Sequence, residues 1–262
     1  MSGTHPTSRP RPRENRTAAL VLSLRPVNGH AAMRIAAAAH GLRVLALSPW
    51  RIAVRDDIAT RDALRVALAA DIVIVTSPAA ARAAAALAPL QTRHGQVFYA
   101  IGTTTATTLR RMDVVDVLSP ARMDSEGLLA LPTLRDIRGR EIGLLTAPGG
   151  RDLIAPTLRE RGARVHRADV YVRELIPLSQ ASLTRLRALD GPLLLPVSSG
   201  EALQHVFGQA PADIAARLRG ARVIAASARL AALAHALGCS DVQIAAGPRP
   251  AQLLAAATAR SG

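Results

Sequence analysis

Apolar and polar positions follow one another along the chain in a fixed rhythm. A short aliphatic run is followed by a turn signal and then by an alanine-rich stretch of helical period. The first run predicts a strand over Ala19–Leu24, followed by Arg25-Pro26 and a helix over Gly29–His40. A strand over Arg43–Leu47, a helix over Thr60–Ala69 and a strand over Asp71–Val75 come next. A helix over Ala79–Leu87, a strand over Val97–Ile101 and a helix over Thr104–Arg111 continue the series. Short strand, short loop, helix and strand again is the pattern of parallel α/β sheets. Residues 1–17 stand apart. They are rich in Pro, Arg, Ser and Thr, have no apolar period, and read as a disordered basic tail.

The rhythm is also a repeat. IVIVTSPAAA, which contains Thr76-Ser77, resembles LLLPVSSGEAL, which contains Ser198-Ser199. AIGTTTATTL resembles AASARLAAL, and HGLRVLALSPW resembles RGARVHRADVY. All three pairs are offset by roughly 120 residues and keep their order. The chain therefore reads as two copies of one α/β unit, with a seam near Arg135–Arg140.

The candidate chemistry lies where strands give way to helices. Val75 is followed by Thr76-Ser77-Pro78, and Ile101 by Gly102-Thr103-Thr104-Thr105. Asp124-Ser125-Glu126-Gly127 opens a helix, and Thr146 leads into Ala147-Pro148-Gly149-Gly150-Arg151. Val197 is followed by Ser198-Ser199-Gly200-Glu201, and Ala226 by Ser227. In a parallel sheet these junctions gather at the carboxyl ends of the strands, where ligands bind. Small hydroxyl residues there cap helices. The same helix starts present N–H groups and a positive dipole end to an anion. Capping alone accounts for any single junction; the recurrence in both repeats points to ligand binding.

Composition narrows the chemistry. A chain of 262 residues with 49% hydrophobic residues supports one large domain or two smaller ones and excludes wholesale disorder. No uncharged apolar run approaches the ~18–20 residues of a membrane span, and the start lacks the apolar core of a signal peptide. A cytoplasmic protein without a membrane partner is the expectation. The formal net charge is +14, and every one of the 33 basic residues is arginine. The absence of lysine excludes Schiff-base, pyridoxal phosphate and phosphate-loop lysine mechanisms. Arginine suits carboxylate and phosphate partners because its planar fork donates paired hydrogen bonds. Five aromatics (Trp50, Phe98, Tyr99, Tyr171 and Phe207) are too few for nucleic-acid stacking platforms. The seven histidines are scattered without ligand spacing, and Cys239 is alone, so no metal site is expected. PGGRD at 148–152 is not a dinucleotide fingerprint, and no G-x-S-x-G elbow occurs.

Taken in order, several motifs resemble the uroporphyrinogen-III synthase family. They are Leu24-Arg25-Pro26, Thr76-Ser77-Pro78, Ile101-Gly102-Thr103-Thr104-Thr105-Ala106 and Ser125-Glu126-Gly127-Leu128-Leu129. Gly149-Gly150-Arg151-Asp152-Leu153, Arg161-Gly162-Ala163 with Val170-Tyr171, Val197-Ser198-Ser199-Gly200-Glu201 and Ser227-Ala228-Arg229-Leu230-Ala231 complete the set. Three positions depart from the family pattern: Leu24 stands where Thr is common, Ala147-Pro148 where Arg-Gly is common, and Ser227-Ala228 where a Thr pair is common.

The resemblance implies two flavodoxin-like parallel-sheet domains joined by a two-stranded linker, with a cleft between them. It pairs 18–50 with 173–262 as one discontinuous domain and leaves 53–170 as the other. The implied activity is closure of hydroxymethylbilane, an octa-anionic linear tetrapyrrole, to uroporphyrinogen III. The last pyrrole ring is inverted and water is lost, in haem biosynthesis, without cofactor or metal. Tyr171 matches the tyrosine proposed to assist departure of the hydroxyl. Arg25, Thr76, Ser77, Thr103, Thr104, Ser125, Glu126, Gly149, Gly150, Arg151, Ser198, Ser199, Gly200 and Ser227 are the expected substrate contacts. The implied protein is a monomer, in transient contact with the preceding pathway enzyme and without a nucleic-acid partner. The competing reading is a non-catalytic two-lobed protein that binds a small polyanion.

Overall fold

The computed structural model describes residues 19–149 and 152–258. The tail expected over 1–17 and the site candidates Gly150 and Arg151 lie outside the described residues. The chain begins with β1 (Leu20–Ser23), α1 (Ala31–Ala38), β2 (Arg43–Ala46) and β3 (Trp50–Val54). Next come α2 (Ile58–Ala69), β4 (Ile72–Val75), α3 (Pro78–Leu87), β5 (Val97–Ala100), α4 (Thr103–Arg110), β6 (Val117–Leu118) and α5 (Ser125–Leu129). A 3-10 turn at Pro132–Leu134 leads to β7 (Glu141–Thr146), α6 (Ile154–Glu160), β8 (Arg164–Asp169) and β9 (Tyr171–Leu175). The remainder holds α7 (Gln180–Ala188), β10 (Leu193–Val197), α8 (Gly200–Gln209), α9 (Ala212–Arg219), β11 (Arg222–Ala225), α10 (Ala228–Ala236), β12 (Val242–Ile244) and α11 (Pro250–Thr258). Every strand and helix predicted above forms, within about two residues of its expected ends.

Two parallel five-stranded sheets result, ordered β12-β11-β10-β1-β2 and β6-β5-β4-β7-β8, and β3 pairs with β9 in a two-stranded ribbon. The chain divides into two units. Ile52–Glu174 form one, and the described residues on either side of that segment form the other. Burial explains the strand order. The middle strands β4 (IVIV) and β10 (LLLPV) and their neighbour β1 (LVLS) are buried along their whole length, as central parallel strands covered on both faces must be. The edge strands β2, β8 and β12 carry mixed patterns. Pro196 sits in β10 although proline is disfavoured in a central strand. Its register partner is Ile224 on β11, while the ladder to β1 stops at Leu194. The missing N–H thus falls where β1 and β10 no longer pair.

The sequence repeat maps onto the sheets place by place. β4 and β10 hold the middle positions, β5 and β11 the next positions outward, and β8 and β2 the opposite edges. The seam near Arg135–Arg140 divides the repeats but not the units, so a domain split there is incorrect. The first half contributes β1 and β2 to one sheet and β4–β6 to the other. The second half returns β7 and β8 to the second sheet and β10–β12 to the first. The halves have exchanged their leading strand pairs.

Packing is tight where helices meet sheets. At Gly143, in β7, an added Cβ would lie 2.0 Å from the carbonyl oxygen of Ala67 in α2. Helix C-termini are closed by arginines. Arg61 donates to the carbonyl of Leu87 (2.9 Å), Arg161 to those of Leu129 (2.8 Å) and Leu134 (2.6 Å), and Arg219 to that of Leu237 (3.2 Å). Arg93 donates to the carbonyls of Leu68, Ala69 and Ala70, and Arg217 to those of Leu186 and Leu189. Each supplies a cation to carbonyls that the helix itself leaves unsatisfied.

Candidate functional site

Ligands of open parallel sheets bind at the carboxyl ends of the strands, where the strand order reverses. In the first sheet the order runs from β1 to β2 on one side and to β10–β12 on the other, so the reversal lies between β1 and β10. In the second it lies between β4 and β7.

The β1/β10 crevice is a cavity of about 60 Å³, lined by Leu24, Arg25, Trp50, Pro196, Ser198 and Ser199 among others. Arg25 is half-buried, and its Nε has no hydrogen-bond partner among the described residues. Burial pushes its pKa below the ordinary guanidinium value, although arginine keeps its charge in proteins. Ser199 is the N-cap of α8, its hydroxyl accepting from the Ala202 N–H at 3.3 Å. Ser198 is exposed beside it. Gly200 opens α8 in a tight place: an added Cβ would stand 3.0 Å from Leu233 and 3.6 Å from the Arg229 guanidinium. Ser227 begins α10 at the end of β11, and its hydroxyl makes no capping bond. Capping therefore accounts for the Ser199 hydroxyl but not for that of Ser227.

At the β4/β7 reversal the Thr76 hydroxyl donates to the Leu145 carbonyl (3.3 Å) and to the Thr146 hydroxyl (3.1 Å). Ser77 caps α3 by accepting from the Ala80 N–H at 3.0 Å. Its oxygen also lies 3.2 Å from the phenol oxygen of Tyr171. Tyr171 is the first residue of β9, where the chain leaves β8 through Val170, and it is 4% exposed. Gly149 follows β7 with φ +82°, a backbone conformation that favours glycine.

The structure thus brings Arg25 together with Ser198 and Ser199, and Thr76 and Ser77 together with Tyr171. Thr103 and Thr104 are the exposed first residues of α4, whose N-cap, Gly102, offers no side chain. The Thr103 hydroxyl lies 3.7 Å from the Met123 sulfur. Ser125 and Glu126 occupy the first turn of α5, but Asp124 is its cap, accepting from the Gly127 N–H at 2.7 Å. Arg122 pairs with Asp124 (2.5 Å) and Glu126 (3.8 Å), which makes Glu126 part of a surface ion cluster. Trp50, which lines the crevice, and Thr146 and Arg229 also stand close to these strand ends, and none was among the expected substrate contacts. Trp50 closes the repeated HGLRVLALSPW segment and Arg229 sits inside the Ser227 motif, so both carried a signal. Among the described residues no group of three His, Cys, Asp or Glu is placed to hold a metal, and no helix is long and apolar enough to cross a membrane.

A family model described as uroporphyrinogen-III synthase HemD matches residues 31–255. The chain is 36% identical over 139 residues to the uroporphyrinogen-III synthases of Salmonella typhimurium and Escherichia coli; the match covers 52% of this chain and 56% of each relative. The alignment thus spans about half the length of these relatives. Among solved structures, the fold is similar to uroporphyrinogen-III synthetase from Helicobacter pylori, with TM-score 0.58 and 15% identity over 92% of this chain and 98% of that one. It is also similar to a mutant uroporphyrinogen III synthase from Thermus thermophilus, with TM-score 0.52 and 19% identity over 91% and 96%.

Proposed function

The chain belongs to the uroporphyrinogen-III synthase family, and we propose that it closes hydroxymethylbilane to uroporphyrinogen III, with inversion of the last pyrrole ring and loss of water. On this reading it is a carbon–oxygen lyase of haem biosynthesis, a cytoplasmic monomer that uses no cofactor and meets the preceding pathway enzyme only transiently. The observation that carries the reading is Arg25. Its guanidinium is partly desolvated, its Nε has no hydrogen-bond partner among the described residues, and it lies in the β1/β10 crevice beside the start of α8. Among the described residues no carboxylate pairs with this half-buried cation, and partial desolvation favours a ligand that supplies the anion. The cavity of about 60 Å³ has room for a carboxylate, or for about two waters, but not for a pyrrole ring. Arg25, Ser198 and the α8 start therefore hold an acetate or propionate arm, and the rings lie outside.

The chemistry assigned to Tyr171 is the one that the family resemblance implies, and its hydrogen bond supports it. The Ser77 oxygen accepts from Ala80, which leaves its proton free to be donated to the phenol oxygen. The phenol proton then goes to the departing hydroxyl. The carbon–oxygen bond breaks, water leaves, and the ring carbon that closes the macrocycle loses a proton back to the phenolate. Thr103, Thr104, Ser125, Glu126, Gly149, Gly150, Arg151, Thr76, Gly200 and Ser227 are assigned to substrate contact. Holding a flexible chain in one fold is an orientation problem, which accounts for the lack of a strong nucleophile.

The test is a coupled assay with freshly made hydroxymethylbilane, with chromatographic separation of type I and type III product. The expected result is type III product above the spontaneous rate. Type I alone at the spontaneous rate ends the reading. Binding without turnover would favour the non-catalytic polyanion binder instead.

A further inference from the structure

The β1 and β2 ends hold a polar group that the proposed reaction does not use. His30 is 6% exposed and both ring nitrogens are engaged: Nδ1 with the Ser23 hydroxyl at 2.8 Å and Nε2 with the Ser48 hydroxyl at 2.8 Å. Ser23 is fully buried, whereas Ser48 reaches the surface. β1 and β2 already pair through their backbones, Ser23 opposite Ala46, so the ladder does not need these side chains. A buried polar chain is costly unless every member is satisfied. Here its outer end, Ser48, opens into a depression of about 470 Å³.

The lining of that depression is specific. Arg34, Asn28 and Ser48 supply donors, Val27, Ala31 and Ala46 supply apolar walls, and no carboxylate lines it. Arg34 is exposed and has no ion pair among the described residues. Donors at the mouth and apolar walls beside them fit a carboxylate carried on a short methylene arm. Resting on the function proposed above, we propose that this depression is a carboxylate subsite in which Arg34, Asn28 and Ser48 hold one acidic arm of the substrate, with the Ser23–His30 chain turning the Ser48 proton toward it. The geometry fixes the tautomer this requires. If Ser48 donates outward, its oxygen must accept from Nε2–H, and the bare Nδ1 must accept from the Ser23 hydroxyl. The opposite tautomer would use the Ser48 proton on His30 and leave the depression one donor short. Residues 24–26 line the β1/β10 crevice and residues 27, 28, 30 and 31 line the depression, so successive stretches of one segment would hold two arms.

The experiment combines kinetics with nitrogen NMR. Arg34→Gln, on an exposed position that leaves the core intact, and Ser48→Ala should each raise KM for hydroxymethylbilane by roughly tenfold, the equivalent of about 1.4 kcal/mol. In both, kcat should stay within about twofold. Arg43→Gln, an exposed arginine of β2 outside the depression, should leave KM unchanged. In ¹⁵N-histidine protein, succinate should move the His30 ring signals saturably toward the Nε2–H pattern, and Arg34→Gln should abolish the movement. Unchanged KM in both variants overturns the proposal, even if succinate still binds, because the site would then take free anions only. If the wild-type chain shows no turnover, the proposed function fails by itself. The NMR titration still decides the subsite in that case: a saturable, Arg34-dependent shift supports it and an unmoved His30 overturns it.

Discussion

The contact between Tyr171 and Ser77 allows a structural role to be separated from a chemical one. Tyr171→Phe removes a buried hydroxyl whose one hydrogen-bond partner among the described residues is Ser77 at 3.2 Å. Ser77 keeps its bond from Ala80, so the loss is one ordinary hydrogen bond, about 1 kcal/mol. Ser77→Ala costs more. It removes the α3 cap, ~1 kcal/mol, and strands the phenol oxygen at a site that is 4% exposed, a further ~1–3 kcal/mol. In the double variant no phenol is left to strand, so the cost should return to about 1–2 kcal/mol, below that of Ser77→Ala alone. Urea unfolding midpoints of the four proteins measure this cycle. Additive costs, or a Ser77→Ala no worse than Tyr171→Phe, would refute the hydrogen bond. Kinetics then addresses the chemistry. A general acid contributes roughly 10²–10⁴-fold, so Tyr171→Phe should lose that much kcat while losing only about 1 kcal/mol of stability. A kcat within twofold of wild type would remove Tyr171 from the reaction and leave it a packing residue.

Three further outcomes follow from the fold. Gly143→Ala drives a Cβ to 2.0 Å from the Ala67 carbonyl; forcing α2 off β7 should cost at least the ~1–3 kcal/mol of ordinary overpacking, and an unchanged urea midpoint would contradict the close approach. Arg93→Ala strips donors from the end of α2 and should cost ~1–2 kcal/mol in a denaturant melt while leaving KM unchanged. The pKa of His30 is held below 6.5 first by burial and then by Arg34 and Arg25. The unfolded chain therefore takes up this proton before the folded one as pH falls. Stability from this group is complete above the unfolded value and declines from about pH 7 downward. Urea midpoints should fall more steeply with acid in the wild type than in His30→Gln, and parallel curves would refute the assignment.

The fold was legible because central parallel strands cannot hide: Leu20–Ser23, Ile72–Val75 and Leu193–Val197 are largely apolar runs too short for helices, the first followed by a turn and the other two by helix caps. The repeat was legible for the same reason. What the repeat could not give is the exchange of β1-β2 for β7-β8, because strand partners depend on contacts far apart in sequence. Ser77 and Ser199 were named from strand-end motifs and Arg25 and Tyr171 from the family resemblance, but the meeting of Arg25 with Ser199, and of Ser77 with Tyr171, is a product of sheet order. Ser125 shows the opposite case: its neighbour Asp124 took the cap, since either residue type suits that position. The Ser23–His30–Ser48 chain left no signal, because single serines and a lone histidine have no spacing to read.

The arginine content gains its meaning from the direction of the helices. In each sheet the helices run back against the strands, so helix starts lie at the carboxyl ends of the strands and helix ends lie at the amino ends. Arg61, Arg93, Arg161, Arg217 and Arg219 spend their donors on carbonyls at helix ends, away from both reversal points. The crevice and the depression beside it draw instead on Arg25, Arg34 and the nearby Arg229. The net charge of +14 is thus divided by task, and charge alone is a poor guide to affinity. Neutralising the helix-end arginines should move unfolding midpoints and leave KM alone. Neutralising Arg25 should raise KM and, by removing a half-buried cation whose Nε has no partner among the described residues, leave the fold as stable or more so. Since Arg25 has no counter-charge to lose among the described residues, a large loss of stability in Arg25→Gln would mean that the guanidinium is structural after all, and the crevice would lose its claim to the carboxylate.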